Sequence, residues 1–177
     1  MDRADKMELL HAALQAYDAT KFARLLAQYP DCRYDGAGDD CWMRTACTDG
    51  KLWAVELLVD QGANINKPTN STDSDPHPEG PIVQAAGSGN VELVRYLLDR
   101  GASVNYTIAG QVRCFALTRA AWKGPLNVVR LLVERGAEIN AAWANKTALD
   151  HALQWGRDDI AAYVRSVGGK TASELSV

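Results

Sequence analysis

One short phrase occurs three times along the chain. Gly-Ala-x-Ile-Asn or Gly-Ala-x-Val-Asn stands at residues 62–66, 101–105 and 136–140, and its glycines are 39 and 35 residues apart. Each copy follows an apolar run of one design, such as Val-Arg-Tyr-Leu-Leu at 94–98. Self-similarity at this spacing is typical of stacked units that each bury an apolar face against a neighbour. The sequence therefore predicts a solenoid rather than a single closed core.

A second pattern precedes the apolar runs. Residues 81–86 read Pro-Ile-Val-Gln-Ala-Ala and residues 117–121 read Leu-Thr-Arg-Ala-Ala, and a glycine follows each alanine pair, at Gly89 and Gly124. With these motifs the repeats resemble the ankyrin family, whose unit runs through an alanine pair and a glycine to a closing Gly-Ala-Asp-Val-Asn. The resemblance implies an all-α solenoid of stacked helix–turn–helix units with β-turn or hairpin fingers.

The repeats divide nearly the whole chain. We expect one domain over 1–169 and a C-terminal tail at 170–177. The domain would hold five repeats, of which the first and last diverge as caps, at about 5–35, 36–66, 67–105, 106–140 and 141–169.

Several residues predict where helices begin and end. The glycine of each phrase follows an outer helix, where a left-handed residue closes the last turn without steric cost. Thr147 and Asp150 have the spacing of an N-cap with its reciprocal acid. Pro81 suits a first helical position, and Asn145 suits the turn where the family favours glycine.

Composition narrows the functional classes. The net charge of −3 argues against nucleic acid and anionic membranes as partners. We expect no secretion signal, since residues 1–6 lead directly into an amphipathic helix, and the sequence has no apolar run of about 18 residues. Cys32, Cys41, Cys47 and Cys114 lack the spacing of disulfide or zinc motifs, which favours buried free thiols over a redox or metal role. We expect a cytoplasmic protein, monomeric alone, with no cofactor and no metal.

The resemblance also implies where a partner would bind. Ankyrin contact residues lie on the finger tips and at the end of each inner helix, just after the alanine pair. Carried onto this chain, the candidate partner-binding residues are Thr48, Asp49, Ser88, Trp122, Lys123, Gln154 and Trp155 on inner helices and Asp40, Asp73, Asp75, His77, Glu79 and Trp143 on fingers.

Tryptophan is prominent in this set. We expect Trp122, Trp155 and Trp143 to gather on one concave end, where exposed tryptophan is typical of binding hot spots. The alternative is that Trp155 and Trp143 pack against each other and seal the cap. Trp42 is expected in the core. Trp53 lies on an outer helix, where it marks a second contact or leans over a neighbouring helix.

The stretch 67–79 forms a finger longer than the family norm, with three prolines and an Asp-x-Asp sequence. It is either a tolerated insertion or an enlarged finger that reaches over a partner. The glycine and distal glutamate of a calcium loop are missing. Its acids, together with Asp39, Asp40 and Asp49, would form an acidic patch that steers a basic partner.

Catalysis is not expected. His11, His77 and His151 fall in different repeats, and no nucleophile or phosphate-binding motif is present. Two binding functions remain. The first is a stand-alone inhibitor that occludes one protein, like an immunity protein that neutralises a toxin. The second is an adaptor, for which residues 169–177 are too short to form a second recognition module. This favours the inhibitor.

Overall fold

The structure is a computed structural model that describes residues 2–29, 42–66, 80–108 and 111–176. Across these ranges the chain forms eleven helices and one two-stranded hairpin. In chain order they are α1 (Arg3–Gln15), α2 (Ala19–Gln28), α3 (Trp42–Thr48), α4 (Leu52–Asp60), α5 (Pro81–Ser88), α6 (Val91–Asp99), β1 (Tyr106–Ile108), β2 (Gln111–Arg113), α7 (Phe115–Lys123), α8 (Leu126–Glu134), α9 (Ala148–Gln154), α10 (Asp158–Ser166) and α11 (Ala172–Leu175).

These elements group into two compact units, Met1–Pro81 and Ile82–Val177, where the sequence predicts one domain. In the first unit α1 packs on α2, α3 on α4, and α2 on α4. In the second unit α7 packs on α8 and α9 on α10. The inner helices α7 and α9 stack, as do the outer helices α6, α8 and α10. The predicted all-α architecture of stacked helix–turn–helix units with fingers is confirmed.

The alanine pairs let inner helices approach closely. Ala85, Ala86, Ala120 and Ala121 are fully buried. A Cβ atom added at Gly124 would lie 2.7 Å from the Ala86 carbonyl oxygen. Because no room for a methyl group remains at this point, only glycine fits at position 124, where α5 approaches α7.

The phrase glycines end the outer helices as predicted. Gly101 and Gly136 have φ of 88° and 84°. The amide of Ala102 donates to the Leu97 carbonyl at 2.9 Å, which satisfies one of the free carbonyls of α6. The chain then leaves the helix toward the next finger.

Two fingers are described. In the first, β1 pairs with β2 in antiparallel register, with Tyr106 opposite Arg113. In the second, Trp143 and Lys146 exchange backbone hydrogen bonds of 2.8 and 2.9 Å across a two-residue turn. Both turn residues have positive φ, 48° at Ala144 and 60° at Asn145, as a tight hairpin turn requires. Asn145 thus occupies the left-handed backbone expected of it.

The last helix pair carries a connected cap. Thr147 and Asp150 form the predicted capping box of α9. The Asp150 carboxylate also accepts a 2.8 Å hydrogen bond from the Ala172 amide, which ties α11 to α9. Lys170 contributes its carbonyl, 2.7 Å from the Thr147 hydroxyl. Residues expected to form a tail are therefore part of the second unit, with Ala172–Leu175 helical.

Cys47 and Cys114 are buried thiols, as expected. The Cys114 thiol lies 3.2 Å from the Val104 carbonyl, and burial raises its pKa to about 11. Cys32 and Cys41 lie outside the described residues.

Among the described helices, none has both the length and the apolar character needed to cross a membrane.

Candidate functional site

Two of the three expected tryptophans form a pair. Trp122 lies in the last turn of α7, and Trp155 is the C-cap residue that directly follows α9. Because α7 and α9 stack, the ends of these two inner helices come together, with the two ring centroids 5.9 Å apart and the ring planes tilted by 37°. Trp122 is half-buried, whereas Trp155 is 53% exposed. We call these two residues the tryptophan pair.

Positive charge surrounds the pair. The Lys123 ammonium lies 4.3 Å from the centroid of the Trp122 ring. The Arg119 guanidinium lies 5.6 Å from the same centroid. Such cation–π contacts hold the side chains against the ring. Gly87 makes room for Arg119, since a Cβ atom there would come within 3.1 Å of the Arg119 Cγ.

Arg157 fixes the backbone beneath the pair. Its guanidinium donates to the carbonyl of Trp122 at 3.2 Å and to the carbonyl of Gly124 at 2.5 Å. These carbonyls lie at the C-terminal end of α7, where cations are favoured. The Trp122 backbone is thereby tied to the start of α10, and the surface is preformed.

Trp143, the third tryptophan expected at this end, packs against other rings. Among the described residues its ring contacts are Phe115 and His151, not the tryptophan pair. Its ring packs edge-on against Phe115, at 5.9 Å between centroids, and stacks with His151 at 6.2 Å. The ring partner of Trp155 is Trp122, so the alternative in which Trp155 packs against Trp143 is not what the ring contacts show. Trp143 is half-buried and joins its finger to α7 and α9.

The other candidates of the second unit have local partners. The Gln154 side-chain oxygen accepts a 2.6 Å hydrogen bond from the Lys146 ammonium. The Ser88 hydroxyl donates to the Ala85 carbonyl at 2.8 Å and accepts from the Asn90 amide at 3.3 Å. Ser88 thus joins the end of α5 to the start of α6, whereas Gln154 is exposed beside Trp155.

The described residues of the first unit include two further candidates. Thr48 and Asp49 are exposed at the end of α3. The Asp49 carboxylate accepts a 2.9 Å hydrogen bond from the Gln15 amide. The finger candidates Asp40, Asp73, Asp75, His77 and Glu79, with Asp39 and the whole stretch 67–79, lie outside the described residues.

Two tryptophans of the first unit pack against Phe22, whereas Tyr17 is exposed. Trp42 is buried, as expected, and packs edge-on against Phe22. Trp53 also packs edge-on against Phe22, at 5.7 Å, so it leans over the neighbouring helix α2. Tyr17, which sequence reasoning missed, is 66% exposed, has φ of 55° and carries the Lys51 ammonium 3.7 Å from its ring centroid.

Arg119 and Arg157 were missed as well. Arg119 stands three residues before Trp122, a spacing at which side chains on one helix are neighbours, so the sequence held that signal. Arg157 contacts a carbonyl 35 positions away in the chain. Only the stacking of repeats brings these groups together.

His151 has an unusual environment. Both ring nitrogens are buried and have no hydrogen-bond partner among the described residues. Burial lowers the His151 pKa from its ordinary 6.5, the nearby Lys146 ammonium lowers it further, and the Asp150 carboxylate opposes the shift. The folded protein therefore resists protonation of this ring more than the unfolded chain does.

Stability is accordingly expected to fall as the pH is lowered from 7 to 5. Below pH 6.5 the unfolded chain binds a proton at His151 that the folded protein does not, until the pH reaches the lowered pKa of the folded state. Urea titrations across this range measure the loss. The His151→Phe variant should show a flatter pH profile. Equal slopes in wild type and His151→Phe would contradict this explanation. The pKa of Glu174, lowered to about 2 from 4.5, acts below this window.

Comparison with known proteins agrees with the geometry. A family model of three-copy ankyrin repeats matches residues 67–143 and 84–172, which together make up more than half of the chain. The chain belongs to the ankyrin repeat family. A 75-residue stretch is 36% identical to part of the Drosophila melanogaster "Ankyrin repeat and KH domain-containing protein mask". That match covers 42% of this chain and 2% of the fly protein, so the likeness concerns the repeats. Ankyrin repeats are protein–protein interaction modules, and the family is typically non-enzymatic.

Proposed function

We propose that this protein is a cytosolic inhibitor that occludes one protein partner, as an immunity protein does when it neutralises a toxin. The observation that carries the proposal is the 53% exposure of Trp155 beside Trp122. An indole left in water forgoes a large burial free energy, and tryptophan at interfaces often dominates binding. The exposed pair is therefore the best-supported anchor for a partner.

Occlusion suits a surface that is already in place. The Trp122 backbone is held by Arg157, and Lys123 packs over the Trp122 ring. Little conformational entropy is then lost when a partner docks, so an interface of about 1,600 Å² can reach nanomolar affinity. Tight binding over an active site blocks it without chemistry, and we infer that the protein acts by binding rather than by catalysis, as a monomer before it meets its partner.

The charges beside the tryptophan pair do not favour a basic partner. The preference for a basic partner rests on acids at Asp40, Asp73, Asp75 and Glu79, which lie outside the described residues, and on Asp49, which belongs to the first unit. Charges beside the tryptophan pair have the opposite sign. We therefore base the proposal on the pair and do not extend it to a basic surface.

An adaptor is the second candidate, and one observation favours it. Tyr17 in the first unit is 66% exposed although its backbone has a positive φ that bulky residues rarely adopt. Such a residue can serve as a contact in its own right. A protein with two independent contact surfaces could bridge two partners.

The test is capture followed by an activity assay. Immobilised wild-type protein and the Trp122→Ala/Trp155→Ala variant are exposed to lysate of the source cell, and proteins retained only by the wild type are identified. An inhibitor should form a one-to-one complex with one such protein and abolish its activity. A partner that stays fully active in the complex would support the adaptor instead. Equal capture by both forms would overturn the role of the pair.

A further inference from the structure

We propose that the segment recognised by the tryptophan pair is acidic, with an apolar side chain packed on the indoles and a neighbouring carboxylate paired with Lys123. This inference rests on the proposed function, since it names the chemistry of the partner at that same surface. It reverses the sign of charge that the acid-rich fingers suggest from the sequence.

Two cations lie against the Trp122 ring. Lys123 is exposed, with its ammonium 4.3 Å from the Trp122 centroid, and Arg119 places its guanidinium 5.6 Å from the same ring. Arg157 adds a third positive charge beneath Trp122, although its N–H groups are used by the carbonyls of α7. An apolar anchor is thus flanked by positive potential on one unit of the protein.

The acidic residues of α9 and α10 lie in the first turns of these helices, at or near their N-termini. Asp158 and Asp159 are exposed in the first turn of α10, where the helix dipole favours negative charge. The Asp150 carboxylate is occupied by the capping box of α9 and by the Ala172 amide. Lys146, a fourth cation, bonds Gln154 next to Trp155. Among the described residues, the charged groups that contact the Trp122 ring are therefore positive.

The cation–π contact with Trp122 holds Lys123 in a position where it can bind a carboxylate. A ring face holds an ammonium from one side and leaves its other N–H groups directed outward. A carboxylate can then bind Lys123 while the cation–π contact persists, so little side-chain entropy is lost. When an apolar side chain covers the indoles and excludes water, the ion pair gains strength because the local dielectric constant falls. A basic segment would place like charges together at the same point.

The chain offers a matched control for this argument. Arg130 on α8 lies 4.4 Å from the ring centroid of Tyr163 on α10, so it is also an exposed cation over an aromatic ring. It belongs to the outer helices, away from the ends of α7 and α9. Arg130→Glu and Lys123→Glu change the net charge equally and each removes one cation–π contact. Only Lys123→Glu alters the tryptophan pair.

The experiment is a selection from a display library of random peptides about twelve residues long, with counter-selection on Trp122→Ala/Trp155→Ala. We expect enriched peptides to combine an aromatic or aliphatic residue with aspartate or glutamate close by. The tightest peptide should lose at least about tenfold in affinity for Lys123→Glu, less than about twofold for Arg130→Glu, and should bind more weakly at higher salt. Circular dichroism checks that every variant is folded.

Three results would overturn the inference: enriched peptides that are basic, no peptide that depends on the tryptophan pair, or undiminished binding by Lys123→Glu. Its failure is distinguishable from failure of the proposed function. If Trp155→Ala loses the captured partner but Lys123→Glu retains it, the function stands and the acidic chemistry is wrong. If Trp155→Ala retains both the partner and its inhibition, the proposed surface itself is wrong.

Discussion

Replacing Gly124 by alanine is expected to destabilise the second unit by about 3 kcal/mol, the upper part of the range for overpacked sites. The backbone of Gly124, with φ of −80°, suits any residue. Its surroundings do not: an added Cβ would lie 2.7 Å from the Ala86 carbonyl oxygen and 3.0 Å from both the Cα and the carbonyl oxygen of Ala120. Because all three are backbone atoms, relief requires α5 and α7 to move apart.

Gly136→Ala is the matched control for this substitution. Gly136 has φ of 84°, but a Cβ atom there would meet nothing within 4 Å. Its cost is conformational alone, about 1–2 kcal/mol. Urea titrations followed by circular dichroism give both free energies of unfolding. If Gly136→Ala proved the more damaging, the close approach of inner helices would not be the stronger constraint.

This pair of glycines illustrates how far the sequence predicts the fold. The glycine of each repeated phrase is predicted to have a positive φ because it follows an apolar helical run in all three copies. Gly101 and Gly136 have this backbone conformation. The alanine pairs likewise indicate where helices approach. Repetition makes these features visible, since each copy repeats the same physical requirement. The division into two compact units falls at Pro81, just after the long stretch 67–79, but an enlarged finger is also compatible with a single domain, so the repeat pattern alone does not predict the division.

The candidate site was predictable in part. Trp122 and Trp155 occupy adjacent repeat positions at the ends of the inner helices, so stacking of α7 on α9 brings their rings together. Trp143 differs because its side-chain direction depends on a two-residue turn with positive φ at both central residues, and this turn places the ring near Phe115 and His151. Repeat alignment gives a position along a finger but not the direction of a side chain. The interactions of Arg157 with carbonyls of α7 depend on tertiary geometry as well.

Trp155→Ala is expected to weaken partner binding by at least about 2 kcal/mol, roughly thirtyfold in affinity, while the protein stays folded. The ring of Trp155 is 53% exposed, so its removal leaves little cavity in the free protein. In the complex the same ring would be covered, and truncation would lose its full burial. Isothermal titration with the captured partner measures the change, and the urea midpoint reports the stability of the variant.

Leu153→Ala makes the expectation specific to the tryptophan pair. Leu153 is 51% exposed and lies on α9, two residues before Trp155, so the two side chains point in different directions around the helix axis. The Leu153→Ala substitution therefore removes an apolar side chain of similar exposure that does not face the tryptophan pair. Its effect on binding should stay below about 0.5 kcal/mol. If both variants weakened binding equally, general apolar exposure on α9 would explain the affinity. If Trp155→Ala instead unfolded the protein, the contact of Trp155 with Trp122 would belong to the packing of the cap, and the anchor for a partner would have to lie elsewhere.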